Sequence, residues 1–154
     1  MSPLPSSRGM YFEEFQAGQR IVTAGRTVTE SDVVTFAGLS GDYNQIHTDA
    51  EFSKATAAGE RVAHGLLCLS IATGLAMRTG VLEGTVLAFR EIDDWKFVKP
   101  VFLGDTIHAE LEITETKALP RIQAGTVTLA VAVKNQHAET TMKGRWTALV
   151  MVRP

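Results

Sequence analysis

The chain has 154 residues, 45% hydrophobic and 21% charged, with a formal net charge of -2. That is enough apolar material for one core without covalent staples, and the single cysteine, Cys68, excludes an internal disulfide or a multi-cysteine zinc site. No basic stripe suggests a nucleic-acid partner, and the longest apolar run, Leu66 to Met77, falls short of the roughly 20 residues of a membrane span. A lone cysteine fits a cytoplasmic protein. Met1 to Gly9, rich in Pro and Ser, reads as a disordered tail, and residues 10–154 as a single domain.

Gln19 to Val28 reads as the first strand. Thr29-Glu30-Ser31-Asp32 has the Ser/Thr-x-x-acid form of a helix start, and the helix carries Val33, Val34, Phe36 and Ala37 to an end between Gly38 and Gly41. Ser40 to Asp49, S-G-D-Y-N-Q-I-H-T-D, reads as a Gly-rich, non-helical segment. Thr48-Asp49-Ala50-Glu51 repeats the capping pattern and predicts a short helix from Asp49 to Ala57. His64 to Arg78 is apolar on nearly all sides, which predicts a centrally buried helix. The period then switches to two. Thr85 to Lys99 reads as a long strand, bulged near Glu91 to Asp94. Thr106 to Thr116 puts Ile107, Ala109, Leu111 and Ile113 on one face, and Gln123 to Asn135 and Glu139 to Val152 alternate likewise. One sheet must cover one apolar helix, so the predicted fold is α+β: a curled antiparallel sheet wrapped around a central buried helix, the hot-dog layout. Its open strand edges call for protection, which predicts a homodimer or a higher homo-oligomer.

The chemistry concentrates in Asp42, Asn44 and His47, within six residues of one another, and in His64-Gly65 at the start of the apolar helix. A carboxylate and an imidazole held close can position one water and move its protons near neutrality. The amide of Gly65 lies at a helix N-terminus, where it lacks an intrahelical partner and can polarise a carbonyl; glycine also lets an acyl group approach closely. Together these are parts for adding water to an activated acyl group or removing it. Asn44 reads as an organiser of the loop. His64 reads as shaping the site, and Thr73, two turns on, either faces the ligand or packs the helix. Arg61, Arg90, Lys96 and Lys99 are available cations with nothing to single them out. No metal or cofactor is expected.

Phe36 to Phe52, F-A-G-L-S-G-D-Y-N-Q-I-H-T-D-A-E-F, followed by A-H-G-L-L at Ala63 to Leu67, resembles the MaoC-like dehydratase family, which includes the (R)-specific enoyl-CoA hydratases. Y-F-E-E-F-Q-A-G-Q near the start and F-V-K-P-V-F-L-G-D-T-I at Phe97 to Ile107 extend the likeness to about Tyr11 to Val152. The resemblance implies a hot-dog homodimer with its active site at the subunit interface. It also implies Asp42 and His47 as the catalytic pair, and reversible hydration of a trans-2-enoyl thioester of coenzyme A or acyl-carrier protein to the (R)-3-hydroxyacyl thioester. One departure is Gln45, where the family usually has proline after the motif asparagine. Two other readings compete: a hot-dog acyl-CoA thioesterase, and a non-catalytic acyl-thioester binding subunit.

Overall fold

A computed structural model describes residues 9–154. The predicted tail lies outside that range except for Gly9, which is buried and donates its amide to the Glu83 carbonyl. In chain order the elements are a 3-10 turn (Phe12–Glu14), β1 (Arg20–Val22), β2 (Arg26–Thr27), α1 (Glu30–Ser40), α2 (Gln45–Thr48), α3 (Ala50–Lys54), α4 (Gly65–Met77), β3 (Val86–Phe97), β4 (Thr106–Leu119), a second 3-10 turn (Pro120–Ile122), β5 (Ala124–Lys134) and β6 (Thr140–Met151).

The strands form one antiparallel sheet in the order β1-β4-β5-β6-β3, with β2 also paired to β4. The alternation read in the sequence is the alternation of burial. Ile107, Ala109, Leu111 and Ile113 of β4, Val127, Leu129, Val131 and Val133 of β5, and Met142, Trp146, Ala148 and Val150 of β6 face inward and pack around α4. This is the hot-dog layout. Among the described residues no helix is long and apolar enough to cross a membrane.

Four expectations need correction. The single first strand, Gln19 to Val28, is two short ones. At the break, Thr23 exchanges bonds with Ala109, its amide donating to the carbonyl and its hydroxyl accepting from the amide. The motif segment is not wholly non-helical, because Gln45–Thr48 forms α2, with the Asn44 side chain accepting the Ile46 amide as its cap. The helix predicted from Asp49 to Ala57 is shorter, with Asp49 as cap and Lys54 its last residue. Finally, α4 is not covered on all sides. Leu66 is 61% and Met77 41% exposed, and Ser70 and Gly74 complete an open stripe at helical spacing. Beside it, edge strand β3 exposes Leu87, Phe89, Ile92 and Phe97. β3 carries register shifts between Val86 and Ala88, between Phe89 and Glu91, and between Asp93 and Lys96.

Helix α1 positions part of the site. Its start is a capping box: the Thr29 hydroxyl accepts the Asp32 amide (3.2 Å), and the Asp32 carboxylate accepts the Thr29 amide (2.8 Å). Arg26 pairs with the same carboxylate at 2.8 Å. Burial alone would raise the Asp32 carboxyl; the bonds from Arg26 and Thr29 outweigh it and hold the group below its ordinary range. The helix stops at Gly41, whose left-handed backbone (φ 77°) turns the chain into Asp42.

Cys68 sits fully buried on α4, and burial, helped by the negative charges of Asp105 and Asp32, pushes its thiol up to about 12. The folded protein at neutral pH is therefore expected to resist iodoacetamide, and the urea-unfolded chain to react readily. The folded thiol holds its proton more tightly than the unfolded one. Its contribution to stability is thus intact below about pH 9 and is lost as pH climbs toward 12. Rapid alkylation of the folded chain contradicts this assignment.

Candidate active site

Asp42, Asn44 and His47 meet where α1 gives way to α2. Asp42 leaves the Gly41 turn with its side chain half exposed, and its Oδ1 accepts the Asn44 amide (3.1 Å). Asn44 in turn caps α2, so one short turn ties both residues to the helix that carries His47. Gln45 is the exposed first residue of α2. Proline is favoured at a first helical position, so α2 starts where the family's proline would start it, and Gln45 leaves the local geometry in place.

His47 is buried. Its Nδ1 lies 2.7 Å from the Val62 carbonyl, which can only accept, so Nδ1 carries the proton and Nε2 presents a lone pair. That Nε2 is 3.9 Å from Asp42 Oδ2. The separation is too long for a direct hydrogen bond, but it fits one water about 2.8 Å from each atom.

His64 underlies both groups. Its ring stacks on that of His47 (centroids 3.8 Å apart, planes 28°), and Nε2 donates to the Asp42 backbone carbonyl at 2.9 Å. The ring is 2% exposed and its Nδ1 has no partner among the described residues. Asp42, His47 and His64 each bring a ligand-type atom to within 4.8 Å of the others. The two imidazoles lie stacked face to face, an arrangement that suits a packed pair better than a shared ion.

Gly65 opens α4 directly after His64, whose side chain gives no cap. The first-turn amides of α4 therefore lack an intrahelical acceptor. Gly65 and His47 line one cavity of about 470 Å³, walled by Ile46, Phe97, Val98 and Met142. A Cβ at Gly65 would lie 2.7 Å from the Phe97 ring, so glycine is what lets that ring close over the helix start. Thr73 stands about 12 Å further along the helix at 1.5 Å per residue. It lines a second, largely apolar cavity of about 370 Å³ with Ala76, Leu82, Phe89 and Trp146, and its hydroxyl donates to the Ser70 carbonyl. Thr73 is thus apart from the Asp42–His47 group.

Of the four cations, Lys99 pairs with Glu139 at 2.7 Å and Lys96 lies 3.9 Å from Asp94, both at the surface. Arg90 is exposed on β3. Arg61 differs: its Nε donates to the His47 carbonyl at 2.6 Å, and Nη1 reaches both Glu30 oxygens. Its spacing from both partners in the sequence gave no signal of this.

Comparison with known proteins places the chain in a family. The sequence matches the family described as MaoC like domain over residues 14–135. It is 43% identical over 101 residues to the protein MaoC of Klebsiella aerogenes, a match covering 66% of this chain and 30% of that protein. The chain therefore spans under a third of MaoC. It is 33% identical over 104 residues to a Rhodospirillum rubrum protein named (R)-specific enoyl-CoA hydratase, covering 68% of this chain and 69% of that one. The solved structure of a monoamine oxidase regulatory protein from Archaeoglobus fulgius is similar with a TM-score of 0.89 and 40% identity, over 96% of this chain and 97% of that one. A match across most of the chain, including the Asp42-to-His47 turn and the His64-Gly65 helix start, settles the family: the chain belongs to the MaoC-like dehydratases.

Proposed function

We propose that this chain catalyses the reversible addition of water to a trans-2-enoyl thioester, giving the (R)-3-hydroxyacyl thioester. The observation that carries the reading is the 3.9 Å gap between Asp42 Oδ2 and His47 Nε2, beside a cavity that His47 shares with Gly65. Both atoms are acceptors. A water between them gives each one hydrogen and turns its own lone pairs toward the β-carbon. As the C–O bond forms, one of the pair takes the proton and the pair returns it to the α-carbon. Negative charge then grows on the thioester oxygen, where the Gly65 amide and the positive end of α4 oppose it. The Rhodospirillum relative's name supports the (R) outcome.

The acyl group is carried on coenzyme A or acyl-carrier protein, and the thioester and water are the only small molecules the chemistry requires. The open stripe of α4 and the apolar edge of β3 support a homodimer, since a second copy covers both at once. The free thiol of Cys68 fits a reducing cytoplasm.

The test is purified protein with crotonyl-CoA, following loss of the enoyl absorbance and release of free thiol in parallel, then longer and branched enoyl thioesters. Enoyl loss without thiol, with the (R)-alcohol as product, is expected. Thiol release instead makes the chain a thioesterase, and inertness toward every enoyl thioester makes it a binding subunit.

A further inference from the structure

We infer that Arg61, held by Glu30, is a positioning residue that sets His47 against Asp42; its effect on turnover rests on the hydratase reading. A helix of four residues cannot hold itself together in water, so α2 depends on what grips it from outside. The Val62 amide donates to the Ile46 carbonyl (3.0 Å), and the buried Ser53 hydroxyl reaches the Gln45 carbonyl (3.3 Å). His47 itself is held at two points by consecutive residues. Arg61 Nε donates to its backbone carbonyl at 2.6 Å, and the Val62 carbonyl accepts from its ring at 2.7 Å.

The other side of the guanidinium is fixed as well. Nη1 lies 2.9 and 2.8 Å from the two oxygens of Glu30, the first residue of α1. The opposite end of α1, about 16 Å away for an 11-residue helix, delivers Asp42. One rigid helix therefore anchors the carboxylate that faces His47 and, through Glu30 and Arg61, the carbonyl behind it. Loosening Arg61 leaves the 3.9 Å gap without a backstop. Arginine suits the task because two of its nitrogens must donate in different directions at once; lysine, a single point of charge, can satisfy only one acceptor. With its side chain 19% exposed and two nitrogens committed, Arg61 is not a spare cation for the phosphates of coenzyme A.

The experiment compares Arg61→Gln, Arg61→Lys, Glu30→Gln and the Glu30→Gln/Arg61→Gln pair in crotonyl-CoA hydration, with the His47 ring N–H followed by NMR. Arg61→Gln is expected to lower kcat by about ten- to a hundredfold while KM stays within about twofold, as displacement of a catalytic group does. Arg61→Lys should fail to rescue it. Glu30→Gln should fall the same way by a smaller factor, and adding it to Arg61→Gln should change nothing further. The His47 Nδ1 proton, expected to exchange slowly in the parent because it is bonded to the Val62 carbonyl, should broaden in Arg61→Gln. An unchanged kcat, a rise in KM alone, or full activity in Arg61→Lys overturns the inference. If the Arg61 variants do not fold, Glu30→Gln decides it, because Glu30 is 60% exposed and its replacement is expected to leave the fold intact. If the parent hydrates no enoyl thioester, the hydratase reading falls, and an unaltered His47 signal in Arg61→Gln then separately overturns the positioning role.

Discussion

Alanine in place of His47 is expected to slow crotonyl-CoA hydration by at least about a hundredfold, and alanine in place of Asp42 by a similar factor. Each removes one of the two acceptors that hold the water, and with it a stop on the route from water to α-carbon. Because both act on one molecule, their losses should not add. The double variant should be about as slow as the worse single one. The two singles differ in what else they disturb. His47 is buried and bonded to Val62, so its loss should also lower the melting temperature. Asp42 is half exposed, and the hydrogen bond that its Oδ1 accepts from the Asn44 amide is the main structural tie that alanine removes. Asp42→Asn keeps an oxygen for that bond while removing the charge, so it separates chemistry from loop geometry. Near-normal turnover in either alanine variant refutes that residue's assignment.

The second large effect concerns the Gly65 amide. A backbone donor is removed only by proline, and this position accepts one. It is the first residue of α4, where proline is favoured, and His64 before it has φ -58° and ψ 133°, the conformation that a residue preceding proline adopts. The obstacle is the Phe97 ring, 2.7 Å from any Cβ at position 65, so the comparison belongs in a Phe97→Ala parent. There Gly65→Ala keeps the amide and should retain the parent's turnover. Gly65→Pro removes it and should cost about 10²–10³-fold in kcat, or about 3–4 kcal/mol of transition-state stabilisation. Equal rates for the two variants would mean that the growing enolate is stabilised elsewhere.

The parts of this molecule legible from its sequence are those in which a residue's neighbours in the chain also decide its surroundings. Ile107 to Ile113 alternate because β4 has one dry face, and the pattern needs no other information. Thr29 and Asp32 announce the start of α1 because the capping box closes within three residues. Helix α2 was not legible: four residues carry no period, and its grip comes from Arg61 and Val62, fourteen and fifteen positions beyond His47. The same distance hid Arg61, whose second partner, Glu30, lies thirty-one residues back. Leu66 and Met77 misled in the opposite direction. An apolar residue records that a surface avoids water, not whether its cover belongs to the same chain.

The irregular edge of β3 bears on which strands can pair with it. A long strand with main-chain groups open on one side is a template on which unrelated strands can polymerise. Here the twelve-residue ladder is interrupted at three places, so a straight intruder finds only short runs of donors and acceptors in step before the next kink throws it out. The irregularities therefore discourage fibrous stacking along this edge.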